Sequence, residues 1–135
     1  MTLLSWSREY LIGDETIDTE HQTLFAMVNR FHDHWLDKQD RQEIAYLFTD
    51  LIRYAEQHFQ HEEAIMAAAG FPSLEHHHEI HDRIVERIFT LRYEYEINDP
   101  HMEQDTLKFL KHWIIDHVVN EDYHFRVFMA RKTPH

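Results

Sequence analysis

The sequence has no cysteine, which excludes disulfide bonds, thiolate metal sites and cysteine nucleophiles. Glycine and proline are scarce, with 2 and 3 residues, and so few turn formers argue against an all-β fold and for a few long helices. No stretch approaches the roughly 20 uninterrupted apolar residues of a membrane-spanning helix. Ser, Arg and Glu interrupt the first ten residues too early for a secretory signal peptide. We therefore expect a helical protein without membrane insertion, located in the cytoplasm.

Basic residues are also in short supply. Lys and Arg number 13 against 25 Asp and Glu, which gives a formal net charge of −12. Phosphate binding needs clustered Lys and Arg, and here they are scattered among acids, so the sequence argues against nucleic acid as a partner. The abundant residue is histidine, with 14 copies in 135 residues. The question is whether some of these histidines are organised.

The apolar pattern predicts one all-α domain over residues 1–135. With 43% apolar residues, the chain can bury a single core. An N-terminal arm at 1–15 precedes segments in which apolar residues recur every three or four positions. Four helices joined by short connections pack most simply as an up-down-up-down antiparallel bundle. The helices are predicted at about 18–37, 41–69, 73–96 and 100–130.

Polar residues mark several of the helix ends. The first helix is expected to begin near Asp18 or Thr19. Gly70 can supply the left-handed residue that ends the second helix. Ser73, which follows a Phe-Pro turn, can cap the third helix.

The inward-facing stripes of these helices contain imidazoles and a carboxylate. On a helix, residues four apart lie on the same face, one turn from each other, and the polar residues share this spacing with one another or with apolar core positions. An unpartnered buried imidazole or carboxylate costs about 1–3 kcal/mol, so several in one core need a common explanation. The residues concerned are His21, His58, Glu62, His77, His81 and His117.

Metal coordination would satisfy every one of these buried lone pairs. Imidazole and carboxylate ligands without thiolate suit Fe, Zn, Cu or Mn, and the core of a four-helix bundle is a recurrent home for two-metal carboxylate sites. Any one such pair alone is weak support in a chain so rich in histidine. Of three adjacent histidines only His77 lies on the stripe, so we expect His76 and His78 to be exposed.

Spacing leaves the carboxylate after His117 open. Glu121 lies four residues on and shares its face on a regular helix. Asp122 lies five residues on and would be rotated by roughly 140°. A π-bulge would admit Asp122, and such bulges concentrate at functional sites.

Four segments, in this order, resemble motifs of the bacterial hemerythrins, and the resemblance extends over nearly the whole chain. They are WSREYLIG with IDTEHQTLF, then HFQHEEAIM, then GFPSLEHHHEIH, and finally FLKHWIIDHVVNED. The family pattern in the last segment is His-x-x-x-x-Asp, so the resemblance favours Asp122 over Glu121. The metal ligands that it implies are His21, His58, Glu62, His77, His81, His117 and Asp122.

The resemblance also implies how these ligands divide between two iron ions with an oxo or hydroxo bridge. Those for one iron would be His77, His81 and His117. His21 and His58 would hold the other iron, which keeps an open position for O₂. Glu62 and Asp122 would bridge the pair. Apolar residues near the ligands should wall the O₂ pocket, and spacing indicates Phe25, Phe59 and Ile114.

The expected function is reversible dioxygen binding by a carrier or store. The alternative is an oxygen or redox sensor that signals to a partner. A di-iron enzyme ranks last, because the sequence offers no acid, base or substrate cleft apart from the ligands. A bundle whose histidines bind stray Zn²⁺, or nothing, is the remaining reading. We favour a monomer, and any signalling or oxygen-consuming partner is unknown.

Overall fold

The computed structural model of the protein describes residues 4–36, 41–97, 102–114, 116–117 and 122–132. In these ranges there is no strand. Helices α1 to α4 form a closed ring, because α1 packs on α2, α2 on α3, α3 on α4, and α4 on α1. The predicted all-α, four-helix bundle is confirmed. A 3₁₀ turn at Arg8–Tyr10 precedes the helices, which are α1 (Glu15–Leu36), α2 (Arg41–Ala69), α3 (Leu74–Glu96), α4 (Met102–Ile114) and α5 (Asp122–Lys132).

Two apolar clusters fill the bundle, and a polar layer lies between them. The larger cluster takes residues from α1 to α4, including Val28, Phe48, Ile88 and Leu110. The smaller one lies at the other end and is formed by Ile12, Ile17, Met66, Phe71 and Phe125. Along α2, His58 and Glu62 come between Ala55 of the larger cluster and Met66 of the smaller. The stripes therefore bury apolar residues above and below one polar layer.

The first helix begins at Glu15, so the predicted start near Asp18 or Thr19 is wrong. The carboxylate of Asp14 accepts a hydrogen bond from the backbone N–H of Ile17 at 3.0 Å, which satisfies a free donor of the first turn. Asp18 lies inside the helix and faces the arm. Its carboxylate accepts from the N–H of Ile12 at 2.6 Å and from that of Gly13 at 3.1 Å.

The N-terminal arm lies along α1. The side chain of Asn29 bonds both backbone groups of Leu4, accepting at 2.7 Å and donating at 2.8 Å. Trp6 and Tyr10 pack on Phe25, with ring centroids 5.1 and 5.6 Å away. The arm therefore packs on the larger apolar cluster, next to Phe25 of the first helix.

Gly70 ends α2 in the predicted left-handed conformation, with φ of 73°. Its N–H donates to the carbonyl of Ala67 at 3.1 Å, and the N–H of Phe71 donates to Met66 at 3.0 Å, the pair of bonds typical of a glycine cap. The predicted side-chain cap by Ser73 is wrong. Ser73 precedes α3, but its hydroxyl makes no capping bond, and its backbone carbonyl accepts from His77 instead.

The last predicted helix, 100–130, is not one regular α-helix in the residues that the structure describes. Helix α4 ends at Ile114, Asp116 and His117 lie in a π-helical turn, and α5 begins at Asp122. Residues 100–101, 115 and 118–121 lie outside the described ranges. Among the described helices, none is both long and apolar enough to span a bilayer.

Candidate metal centre

Five imidazoles and two carboxylates meet in the polar layer of the bundle. They come from α1, α2, α3, the π-helical turn and α5, and none is more than 3% exposed. The structure thus brings all seven sequence-predicted residues together. They are His21, His58, Glu62, His77, His81, His117 and Asp122.

One oxygen of each carboxylate faces His21, and that of Glu62 also faces His58. Glu62 Oε2 lies 3.2 Å from the Nε2 of His21 and 3.2 Å from the Nε2 of His58. Asp122 Oδ2 lies 2.9 Å from the Nε2 of His21. These atoms form one side of the site.

The other oxygen of each carboxylate faces the remaining imidazoles, all three in the case of Glu62 and two in the case of Asp122. Glu62 Oε1 lies 2.8, 3.1 and 3.5 Å from the Nε2 atoms of His77, His81 and His117. Asp122 Oδ1 lies 2.8 Å from His77 and 3.3 Å from His117. Possible ligand atoms therefore gather in two groups, each within 4.8 Å, and Glu62 belongs to both. Glu62 and Asp122 each span the two groups with their two oxygens.

Local helix geometry explains how these side chains converge. His58 and Glu62 are one turn apart on α2, as are His77 and His81 on α3, so each pair shares a face. The π-helical turn at His117 contains about one more residue than an α-helical turn. It allows a residue five positions on to face the same site, and Asp122 does so at 1% exposure. Glu121, the alternative left open by spacing, lies outside the described residues.

Two further carboxylates, which the sequence analysis did not predict, contact the Nδ1 atoms of two imidazoles in the cluster. Glu20 Oε1 lies 3.0 Å from the Nδ1 of His58. Glu63 Oε2 lies 2.8 Å from the Nδ1 of His81. A carboxylate at Nδ1 keeps the proton there and leaves the lone pair on Nε2. Their positions in the sequence could have indicated them, because Glu20 and Glu63 are adjacent to two of the predicted ligands, His21 and Glu62.

Each of these carboxylates also contacts a surface histidine with its second oxygen. Glu20 Oε2 lies 2.6 Å from the Nδ1 of His61, and Glu63 Oε1 accepts from His78. The side chain of His78 is 53% exposed, as predicted. His76 is exposed as well. His78 is nevertheless tied to the site through one carboxylate.

The two carboxylates give the cluster a negative charge that favours the binding of cations. Burial by itself lowers the pKa of His21 and His77, but the adjacent carboxylates of Asp122 and Glu62 outweigh it and raise each pKa to about 10. Burial also opposes ionisation of Glu62, yet the surrounding imidazoles hold the pKa of this carboxyl well below its usual value. At neutral pH both carboxylates are therefore anionic and attract positive charge between them and the imidazoles.

The arrangement of lone pairs fits metal ions better than a hydrogen-bond network. The Nδ1 of His81 faces Glu63 at 2.8 Å, while its Nε2 lies only 3.2 Å from the Nε2 of His117. Neither oxygen of Asp122 makes a well-formed hydrogen bond despite the short contacts, nor does the Nε2 of His58. Facing lone pairs repel unless a cation lies between them. The donor set, five imidazoles with two carboxylates, suits iron and similar divalent metals.

Two of the three residues predicted to wall an O₂ pocket can be placed, and they lie in different surroundings. Phe59 is buried and stacks on His81, with ring centroids 3.9 Å apart. Phe25 is also buried, and its ring contacts are with Trp6 and Tyr10 of the arm. The side chain of Ile114 lies outside the described residues.

Fold and site together define a four-helix protein with a histidine- and carboxylate-lined metal centre. A family model described as "Hemerythrin HHE cation binding domain" matches residues 12–126. The chain therefore belongs to the hemerythrin family, whose members bind oxygen at a non-haem di-iron site.

Individual relatives cover nearly the full chain. A bacteriohemerythrin of Methylococcus capsulatus is 30% identical over 123 residues, which are 90% of this chain and 93% of the relative. A myohemerythrin of Riftia pachyptila is 26% identical over 121 residues, 90% of this chain and 89% of that protein. A crystal structure of a wild-type hemerythrin superposes with a TM-score of 0.82 at 28% identity, covering 93% of this chain and 96% of the other.

Proposed function

We propose that this protein binds dioxygen reversibly at a di-iron centre and acts as an oxygen carrier or store. One observation carries the proposal: Glu62 and Asp122 each turn one oxygen to His21 and the other to the opposite imidazole group. Carboxylates in this position can bridge two metal ions. Bound iron would supply the electrons with which dioxygen is taken up and given back.

The two sides of the site differ in the number of imidazoles they offer. One group has His77, His81 and His117, and the other has only His21 and His58. With both carboxylates shared, the side of His21 and His58 has one protein ligand fewer. We propose that this side leaves a position open to dioxygen.

The rest of the protein keeps the ligands in place and water out. Glu20 and Glu63 fix the orientation of His58 and His81 through their Nδ1 atoms. Phe59 covers His81 and meets the ring of His117 edge-on at 5.5 Å. We propose Phe59, with Phe25 and Ile114, as the apolar wall, because a dry pocket slows the loss of bound oxygen in a reduced form.

We propose carriage rather than catalysis. Hemerythrins are oxygen-binding proteins rather than enzymes. In the described ranges, the only buried titratable group outside the proposed ligand set is Asp18, and its carboxylate holds the arm. No buried acid or base among these residues is therefore left over for a substrate. The formal net charge of −12 supports a monomer, because like charges oppose self-association.

The test is metal analysis followed by a cycle of oxygenation. Protein loaded with Fe²⁺ under anaerobic conditions should hold two irons per chain. Its absorption spectrum should change with O₂ and return when the gas is removed. Peroxide release in proportion to O₂, or steady oxidation of an added reductant, would overturn carriage in favour of an enzyme. A reproducible pull-down partner that binds only one redox state would favour the sensor.

A further inference from the structure

Two of the five clustered imidazoles border depressions in the protein surface. His81 lies at the floor of a groove of about 380 Å³ between α2 and α3. His77 lies at the floor of a pocket of about 220 Å³ formed by the α2–α3 turn and α5. A metal ion arriving from solvent must pass a ligand side chain, since all seven are buried. Each of these two places is therefore a candidate for its route.

At the groove, His81 is held firmly. Its Nδ1 is bonded to Glu63 at 2.8 Å. Phe59 stacks on its face, with the two ring planes 6° from parallel. To move outward, His81 would have to break a charge-assisted hydrogen bond and leave an aromatic stack.

At the pocket, His77 is held by different partners. Its Nε2 lies 2.8 Å from Glu62 and 2.8 Å from Asp122, the two carboxylates that an arriving metal ion would itself bind. The ring of Phe71 meets it edge-on at a centroid distance of 6.4 Å, beyond close packing. Rotation about the Cα–Cβ bond could swing this imidazole into the pocket once an arriving cation takes over its two carboxylate partners, whereas the Glu63 partner of His81 lies outside the proposed ligand set.

The pocket itself offers ligands for a metal ion in transit. Besides Phe71 and His77, its lining consists of Ser73, His76 and His124. His76 and His124 are exposed, and neutral imidazoles bind divalent transition metals. Directly behind His77 lie the carboxylates of Glu62 and Asp122, whose negative charge attracts cations inward. A cation would therefore first meet exposed imidazoles in the pocket and then the buried carboxylates of the cluster.

We propose that this pocket is the port through which Fe²⁺ reaches the centre, with His76 and His124 as transient ligands and His77 as the gate. The inference rests on the proposed function, since it presumes that metal binds to the seven clustered residues. It assigns a role to two surface histidines that lie outside that set. It also predicts that uptake and release use the same route.

The experiment follows metal uptake by the metal-free protein after addition of Fe²⁺ without oxygen. Samples are quenched with a chelator, desalted and analysed for iron per chain against time. The reverse experiment follows transfer of iron from loaded protein to the chelator. Two variants address the port: His76→Gln with His124→Gln removes the transient ligands, and Ser73→Phe fills the space. Ser73→Phe removes no capping bond, because the hydroxyl makes none.

Both variants should slow uptake and release alike, by about tenfold, or about 1.4 kcal/mol in the barrier. The final iron content should stay at two per chain, because a port changes rates and leaves affinity unchanged. His112→Gln, an exposed histidine on α4, is the matched control and should load like the unaltered protein. Unfolding curves of the metal-free variants check that the fold is intact.

Unchanged rates in both port variants, or equal slowing by His112→Gln, would overturn the port. A fall in final iron content at normal rates would also overturn it, because His76 and His124 would then be ligands of the loaded protein. Failure of the unaltered protein to reach two irons per chain would refute the proposed function and the port together. The two failures are thus told apart by the endpoint.

Discussion

The ring of Phe59 lies flat on the imidazole of His81, with centroids 3.9 Å apart and planes 6° from parallel. The same ring meets His117 edge-on at 5.5 Å and faces the groove between α2 and α3. One aromatic side chain therefore packs on two imidazoles of the cluster and lines the groove that His81 also borders.

Replacing Phe59 by Leu should speed autoxidation of the oxygenated protein severalfold. Leucine keeps the site apolar but removes the flat cover over His81, so water reaches the cluster more easily. The free energy of unfolding should fall by about 1 kcal/mol, as for other conservative core swaps. Decay of the oxygenated absorption band gives the rate. Phe48→Leu, equally buried but in the apolar cluster, is the control, and an equal rate in both variants would contradict the role given to Phe59.

Removing the carboxylate behind His81 should weaken metal binding. Glu63→Ala takes away the acceptor of the Nδ1 proton, and losses of such partners cost about 10- to 100-fold in metal affinity. Glu63→Gln should lose less, because the amide oxygen can still accept that proton. Competition with a coloured chelator measures the affinity. Glu79→Ala, at an exposed position on α3, should bind like the unaltered protein, and a Glu63→Ala variant that did the same would refute the assignment.

The choice between Asp122 and Glu121 can be decided by substituting each one. Asp122 lies 2.9 Å from His21 and 2.8 Å from His77, so it touches both ligand groups. Asp122→Asn should therefore lower the iron content of the purified protein, while Glu121→Gln leaves it unchanged. Metal analysis of both variants gives the answer. The opposite pattern would show that the resemblance has set the last ligand one residue too far along the chain.

Metal binding should release protons, and affinity should rise with pH. Asp122 and Glu62 raise the pKa of His21 and His77 to about 10, so both imidazoles are protonated at pH 8 without metal. Metal must displace these protons, roughly two per chain. Calorimetry at pH 8 in buffers of different ionisation enthalpy counts them. Binding without proton release would mean that both rings are neutral before metal arrives.

The same shifts have a consequence for the metal-free fold. A pKa raised from 6.5 to about 10 stabilises the folded state fully below pH 6.5. This contribution declines above pH 6.5 and is lost as pH rises through the folded value. Thermal unfolding of the metal-free protein should therefore occur at lower temperature at pH 10 than at pH 7.

Gly70→Ala should destabilise the protein by about 1 kcal/mol. Gly70 has a φ of 73°, and no atom lies within 4 Å of where an added Cβ would be, so the cost is backbone strain alone. Gly70→Asn should cost less, because asparagine tolerates the left-handed conformation better. Denaturant unfolding measures both changes. Equal stability of all three proteins would contradict the strain argument.

Helical periodicity was sufficient to predict the bundle and most of the cluster. Spacings of four residues placed His58 with Glu62 and His77 with His81, and these pairs do share a face because α2 and α3 are regular there. Periodicity also predicted that His76 and His78 lie away from the inward-facing stripe, and both are exposed in the structure.

What periodicity could not predict depends on contacts between helices or on departures from helical geometry. Glu20 and His58 are 38 positions apart, and nothing along α1 alone indicates which helix Glu20 faces. The early start of α1 depends on Asp14, whose capping role competes with that of Asp18 for the same sequence signal. The π-helical turn at Asp116–His117 is not marked by a proline or glycine in the sequence around it.

The π-helical turn at Asp116–His117 limits how this helix can be redesigned. Protein engineers usually straighten irregular helices to gain stability, and here that repair would turn Asp122 away from the interior by about a quarter of a revolution, or ~100°. The bundle could survive as a scaffold while one of its two bridging anions pointed elsewhere. At this π-helical turn the regular helix is interrupted, and an additional carboxylate faces the interior as a result.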